Sequence, residues 1–183
     1  MKCLSQKVIV HVFIDNKLSK PGSDTIYYDF NRKLIWADFR GKPDSSYFGS
    51  AITASGFAFN ASMHFEDQDM VFTIGVYPFF TKSHSWKKNN INSDYLLLHE
   101  QHHFDITRLG AQKFVEEIKN AHFTADNYNT LLNSIYTKVY YENQALQQDY
   151  DLETKNSVDI KKQEEWNNKI AGEIKNIRES YAP

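Results

Sequence analysis

His99 and His103 stand four residues apart in the run SDYLLLHEQHHFDITRLGAQKFVEEIKN. Only a helix puts two side chains at that spacing on one face, one turn above the other, so that both imidazoles reach a single cation. The flanking residues support a helix from about 93 to 120. Asn92 or Ser93 can cap it and Asp94 suits its positive end, while Leu96, Leu97, Leu98, Phe104, Leu109, Phe114, Val115 and Ile118 recur at helical spacing. No proline interrupts this stretch. Gly110, seven residues after His103 on the same side, offers a bare backbone for close packing.

Glu100 follows the first histidine, which completes the pattern HExxH. A hydrolytic zinc site takes three protein ligands and keeps a position open for water, whose pKa falls toward about 7. Glu100 stands beside that position as the general base that accepts the water's proton and passes it to a leaving amine. The motif fixes only three positions and supplies two ligands, His99 and His103, so a third must come from elsewhere. The acids at the end of a downstream helix, Asp149, Asp151 and Glu153, are the concentrated candidates. Asp151 is the expected ligand with Glu153 as the alternative, since an Asp-x-Glu pair supplies one ligand and one acceptor for a histidine N–H. Tyr150 beside them is a candidate to steady an oxyanion. His102 projects about 100° away from His103 on the helix, which makes it a supporting or surface residue. His84 is read as an exposed loop residue and His11 as a packed or edge residue of a strand.

The chain carries 183 residues, a net charge of -2 and a pI near 6.4. That balance gives no electrostatic case for nucleic acid or an anionic membrane. Cys3 is the only cysteine, so no intramolecular disulfide forms. The opening MKCLSQK lacks the apolar core of a signal peptide, and no apolar run is long enough to span a bilayer.

Strand signals fill the first half, about 7–80. Lys7 to Ile14 is apolar and β-branched, Pro21-Gly22 marks a turn, and Thr25 to Phe30 is a second short run. Leu34 to Pro43 reads as a short strand or an anchored loop. Ile52 to Phe65 and Met70 to Phe80, joined by Glu66-Asp67-Gln68-Asp69, form an antiparallel hairpin, and Phe57, Phe59, Ala61 and Met63 alternate with polar or small residues. Such a strand beside the metal helix could offer its edge to an extended peptide. The region from about 93 to 180 is helical, with a second helix from about Tyr128 through YDLET and a third from about Val158 to Ser180. The expected fold is a single α+β domain over 1–183, zincin-like, with a small mainly antiparallel sheet packed on a helical subdomain.

WADFRGKP at Trp36 to Pro43, AITASG at Ala51 to Gly56, Ser85-Trp86, HEQHHFDI at His99 to Ile106, YDLET at Tyr150 to Thr154 and Gln163-Glu164-Glu165-Trp166 occur in this order. Together they resemble a bacterial family of predicted secreted zinc-dependent proteases, also catalogued as a domain of unknown function. The resemblance implies a Zn²⁺ cofactor, a peptide or protein substrate and a place in the periplasm or outside the cell. It carries zinc-binding roles to His99 and His103 and the catalytic role to Glu100, and it aligns the block beginning Tyr150-Asp151 with the family's second motif. The chain departs from the family where His102 replaces a common glycine and where Asn156-Ser157 replaces a frequent His-Gly. These departures raise a second reading, a metal-binding or interaction module of peptidase ancestry with little activity.

Overall fold

A computed structural model describes residues 7–181. Its elements are β1 (Val8–Ile14), β2 (Thr25–Tyr27), a 3-10 turn at Trp36–Asp38, β3 (Ala51–Ile52), β4 (Ser55–Glu66), β5 (Asp69–Thr81), β6 (Trp86–Lys87), α1 (Asp94–Asn120), α2 (Tyr128–Thr154) and α3 (Ile160–Ser180). The architecture is α+β, with three helices and a mixed sheet.

β5 is the strand on which the sheet is assembled. β4 pairs with it antiparallel along its whole length, from Ser55 opposite Phe80 to Glu66 opposite Asp69. That occupies one edge. The other edge is shared: β1 lies parallel to β5 from Val8 opposite Met70 to Ile14 opposite Val76, and β2 lies antiparallel from Thr25 opposite Thr81 to Tyr27 opposite Phe79. The sheet is thus mainly antiparallel, as expected, and mixed through the one parallel pairing of β1 with β5. β1 runs along the first half of this edge and the chain loops past its far end, then β2 returns along the remainder. A strand collinear with β2 but opposite in direction has to be parallel to β5. β3 and β6 form a separate antiparallel pair, Ala51 with Lys87 and Ile52 with Trp86.

The register puts Val8, Val10, Val12 and Ile14 on the same face as Phe72, Ile74 and Val76. Helix α1 covers that face with Ala111, Phe114, Val115 and Ile118, and α2 adds Leu132, Ile135 and Val139. Each fully buried side chain of this kind stabilises by roughly 1.5–3 kcal/mol. A second cluster of Ile26, Leu34, Phe39, Phe80 and Phe104 packs the loop segment onto the sheet. Ile106, Tyr150, Trp166 and Ile170 form a third where the three helices meet.

Ser93 caps α1, its hydroxyl accepting from the Leu96 amide at 3.3 Å, and Asp159 caps α3 by accepting from the Lys162 amide at 3.2 Å. Helix α2 ends differently. Lys155, Asn156 and Ser157 take φ of 49°, 53° and 70°, three consecutive left-handed residues with no glycine among them. Gly110 meets α2 closely enough that a Cβ there would lie 2.5 Å from Asn143 Nδ2. Among the described residues no helix is long and apolar enough to cross a membrane.

The loop segment is fastened by Gly41. Its amide donates to the Ser85 carbonyl at 2.7 Å, and a Cβ at this position would lie 2.8 Å from the Ser83 carbonyl oxygen and 3.0 Å from that of Ser85. Both are main-chain atoms of the connection between β5 and β6 and cannot swing aside. Gly41→Ala is accordingly expected to destabilise the protein by about 1–3 kcal/mol, measured as a lowered urea midpoint with an unchanged slope.

Candidate metal centre

The N-terminal half of α1 is unusual for a helix packed on a core, because most of its buried positions are polar. His99, Glu100, Gln101, His102, Asp105, Thr107 and Arg108 are all buried. Buried polar groups require partners, and most of them find theirs in other elements. Gln101 Oε1 accepts the Leu34 amide at 2.8 Å, and its Nε2 donates to Asp105 Oδ1 at 2.8 Å. Tyr28 donates to the same Asp105 oxygen at 2.7 Å, and Ser55 and Thr107 share a hydroxyl contact of 2.7 Å.

His99 and His103 turn to a common point with Asp151 from the last turn of α2. Nε2 of His99 lies 3.2 Å and Nε2 of His103 3.1 Å from Asp151 Oδ1, and the two nitrogens are 3.3 Å apart. Two glutamines fix the other ring nitrogens. Gln163 on α3 takes His99 Nδ1 on its carbonyl at 2.8 Å, and its amide donates to Tyr150 at 2.6 Å and Asn167 at 2.8 Å. Gln147, one turn before Asp151, takes His103 Nδ1 at 2.6 Å while its amide donates to the His103 carbonyl at 2.9 Å. Since both amide groups are spent as donors, each carbonyl faces an imidazole N–H. The Nε2 lone pairs are thereby aimed at the carboxylate.

Two lone pairs and a carboxylate oxygen at such distances repel one another unless a positive charge stands among them. The ligands of a tetrahedral zinc ion, at 2.0–2.1 Å from the metal, are separated by about 3.3 Å. The edges of this triangle, 3.1, 3.2 and 3.3 Å, have that length, so the residues present fit the ion.

Glu100 is buried beside the trio, and its Oε2 accepts from Thr53 Oγ1 at 2.7 Å. Thr53 is held in turn because the neighbouring Ala54 amide donates to Ser85 Oγ at 2.9 Å. His99, Glu100, His103 and Asp151 open onto a cleft of about 460 Å³ between the Tyr47–Ser55 segment and α2. Tyr47, Tyr140, Tyr141, Gln144 and Gln148 line its walls. The edge nearest the trio is that of Ala51 to Thr53, and of β4 only Ser55 reaches the cleft.

Several expected residues lie elsewhere. Glu153, the alternative ligand, accepts Trp166 Nε1 at 3.1 Å and approaches Lys162, which turns it onto α3 and away from the imidazoles. Tyr150 is corrected from oxyanion stabiliser to packing partner. It is fully buried, its ring stacks on His99 with centroids 4.6 Å apart, and its hydroxyl is taken by Gln163 and the His99 carbonyl. Burial pushes its hydroxyl well above the ordinary tyrosine range, so it is a poor proton donor. His102 is buried with Nδ1 3.1 Å from Asp105, and His84 is exposed in its loop. Asn156 lines the cleft. Sequence reasoning missed Thr53, Gln147 and Gln163. Gln147 carried a signal, since it precedes Asp151 by one helical turn on the same face.

These features define a candidate mononuclear site of two imidazoles and one carboxylate with an acid alongside. Residues 82–157, under half of the chain, match the family model described as bacterial protein of unknown function, DUF922. The matched segment holds α1 and α2, and hence the trio and Glu100, but not Gln163 on α3. No curated protein and no solved structure matches the chain.

Burial lowers the pKa of His103, but the hydrogen bond and charge of Asp151, with Glu100 and Gln147, outweigh it and raise the group from 6.5 to about 9. Burial raises Asp151, while hydrogen bonds from His103 and His99 and their charge hold it well below the usual carboxylate range. A raised folded-state pKa contributes stability that is present in full below 6.5 and is lost as pH rises through about 9. Chelator-treated protein is therefore expected to lose thermal stability across that window, and Asp151→Asn to flatten the profile, as read by melting temperature against pH.

Proposed function

We propose that the chain is a zinc-dependent metallopeptidase of zincin-like plan, in which His99, His103 and Asp151 hold Zn²⁺ and Glu100 is the general base. The supporting observation is the triangle of two Nε2 atoms and one Oδ1 with edges of 3.1 to 3.3 Å, set at the floor of an open cleft. Zinc held there supplies Lewis-acid polarisation of a substrate carbonyl and a nucleophilic water near neutral pH.

The chain's own residues do the rest. Gln163 and Gln147 orient the imidazoles, and the Tyr150 ring stacked on His99 limits its rotation. Thr53 occupies Oε2 of Glu100. Oε1 then remains to take a proton from water and return it to the leaving amine. The segment from Ala51 to Thr53, paired through β3 to β6 on one side only, presents backbone groups along which an extended peptide lies. Of the Ile52–Phe65 strand expected to offer its edge, Ile52, Thr53 and Ser55 line the cleft and the residues of β4 beyond Ser55 do not.

Protein purified without chelator is expected to carry stoichiometric zinc by elemental analysis. Glu100→Gln should keep the zinc and lose about 10²–10⁴-fold in peptide hydrolysis. Zinc without hydrolysis in the unaltered chain would instead indicate a non-catalytic binding module, and absence of zinc would overturn the reading. Gln163→Leu is expected to weaken zinc affinity by about 10–100-fold, measured by competition with a chromogenic chelator.

A further inference from the structure

Arg108 is the largest fully buried side chain of the protein, with 1% exposure. Buried guanidinium groups are ordinarily paired with a carboxylate, because an isolated buried charge is costly. Among the described residues Arg108 has no salt bridge; Nη1 donates to Gln112 Oε1 at 3.2 Å, and the Tyr181 hydroxyl and the Glu116 charge also act on the guanidinium. The carboxylate that might have served, Asp105, is engaged by Tyr28, Gln101 and His102.

The guanidinium lines a cavity of about 340 Å³ with Lys17, Tyr28, Phe30, Leu18 and Tyr181. Its carbon lies 5.5 Å from the Phe30 ring centroid and 5.6 Å from that of Tyr181. These aromatic contacts compensate part of the charge without using the N–H donors. Lys17 also lines the cavity, with its ammonium 3.5 Å from the Tyr77 ring centroid. The one acid there, Asp29, is exposed and its Oδ1 accepts the Asn31 amide at 2.8 Å. The cavity thus combines a buried guanidinium that has no salt bridge with largely aromatic walls.

We propose that this cavity binds a small oxyanion, a carboxylate or a phosphate, through the Arg108 guanidinium. The site is separate from the metal centre and does not depend on the peptidase reading. Two parallel N–H groups of Arg108 match two oxygens of either ligand, and Tyr181, whose hydroxyl donates to Gln112 at 3.0 Å, encloses the bound group. Desolvation already lowers the Arg108 pKa, and a bound anion would reverse that shift.

The test is calorimetric titration of the whole chain with sodium phosphate and, separately, sodium acetate, at constant ionic strength in chloride. Saturable one-to-one binding of either anion is expected, and the anion that binds identifies the ligand class. Arg108→Met should weaken it by about tenfold or more, the usual loss for a charge-assisted contact. Should that variant fail to fold, the ¹⁵N-edited Arg Nε–H resonance of Arg108 in the unaltered protein is expected to move in step with saturation. The proposal is overturned if neither anion binds saturably, if Arg108→Met binds as well as the parent, or if the Nε–H resonance stays in place at saturation.

Discussion

Two imidazole lone pairs and a carboxylate oxygen held within 3.3 Å of each other are stable only around positive charge, and the helical half of this protein is arranged to keep them there. Without a metal the charge is a proton, which is why His103 titrates so far above an ordinary histidine. With one, the same geometry makes a ligand set. The convergence needs all three helices: α1 supplies the histidines, α2 the acid and Gln147, and α3 Gln163. The Tyr150 ring lies between them, so the packing core of the helices and the alignment of the site are one cluster.

The strand-rich half contributes at longer range. Gly41 allows the loop after the 3-10 turn to approach the Ser83–Ser85 backbone, Ser85 holds Ala54, and the adjoining Thr53 holds Glu100. Each link is a short polar contact between segments remote in sequence.

The helices were legible because periodicity and caps are local: Ser93 does cap α1, and α2 begins at Tyr128. The β4–β5 hairpin was equally plain from its alternation and charged turn. The geometry brings Asp151 rather than Glu153 to His99 and His103, because α3 packs against the Glu153 side of the helix. The parallel course of β1 left no mark, since a short apolar strand has the same composition in either direction. Tyr150 was misread because adjacency to Asp151 in sequence places it on a different side of the helix, toward Trp166. Gln163 stands in the Gln163-Glu164-Glu165-Trp166 block, but its support of His99 becomes visible only once α3 is placed against α1.

The pairing of β1 with β5 also bears on how the chain is made. β1 precedes β5 by more than fifty residues, and among the described residues its only partner in the sheet is β5. During synthesis β1 emerges from the ribosome early and waits with both edges bare until the β4–β5 hairpin has formed. Until then the apolar Val8–Ile14 strand has no partner for its backbone groups. That strand is the segment a chaperone would have reason to hold.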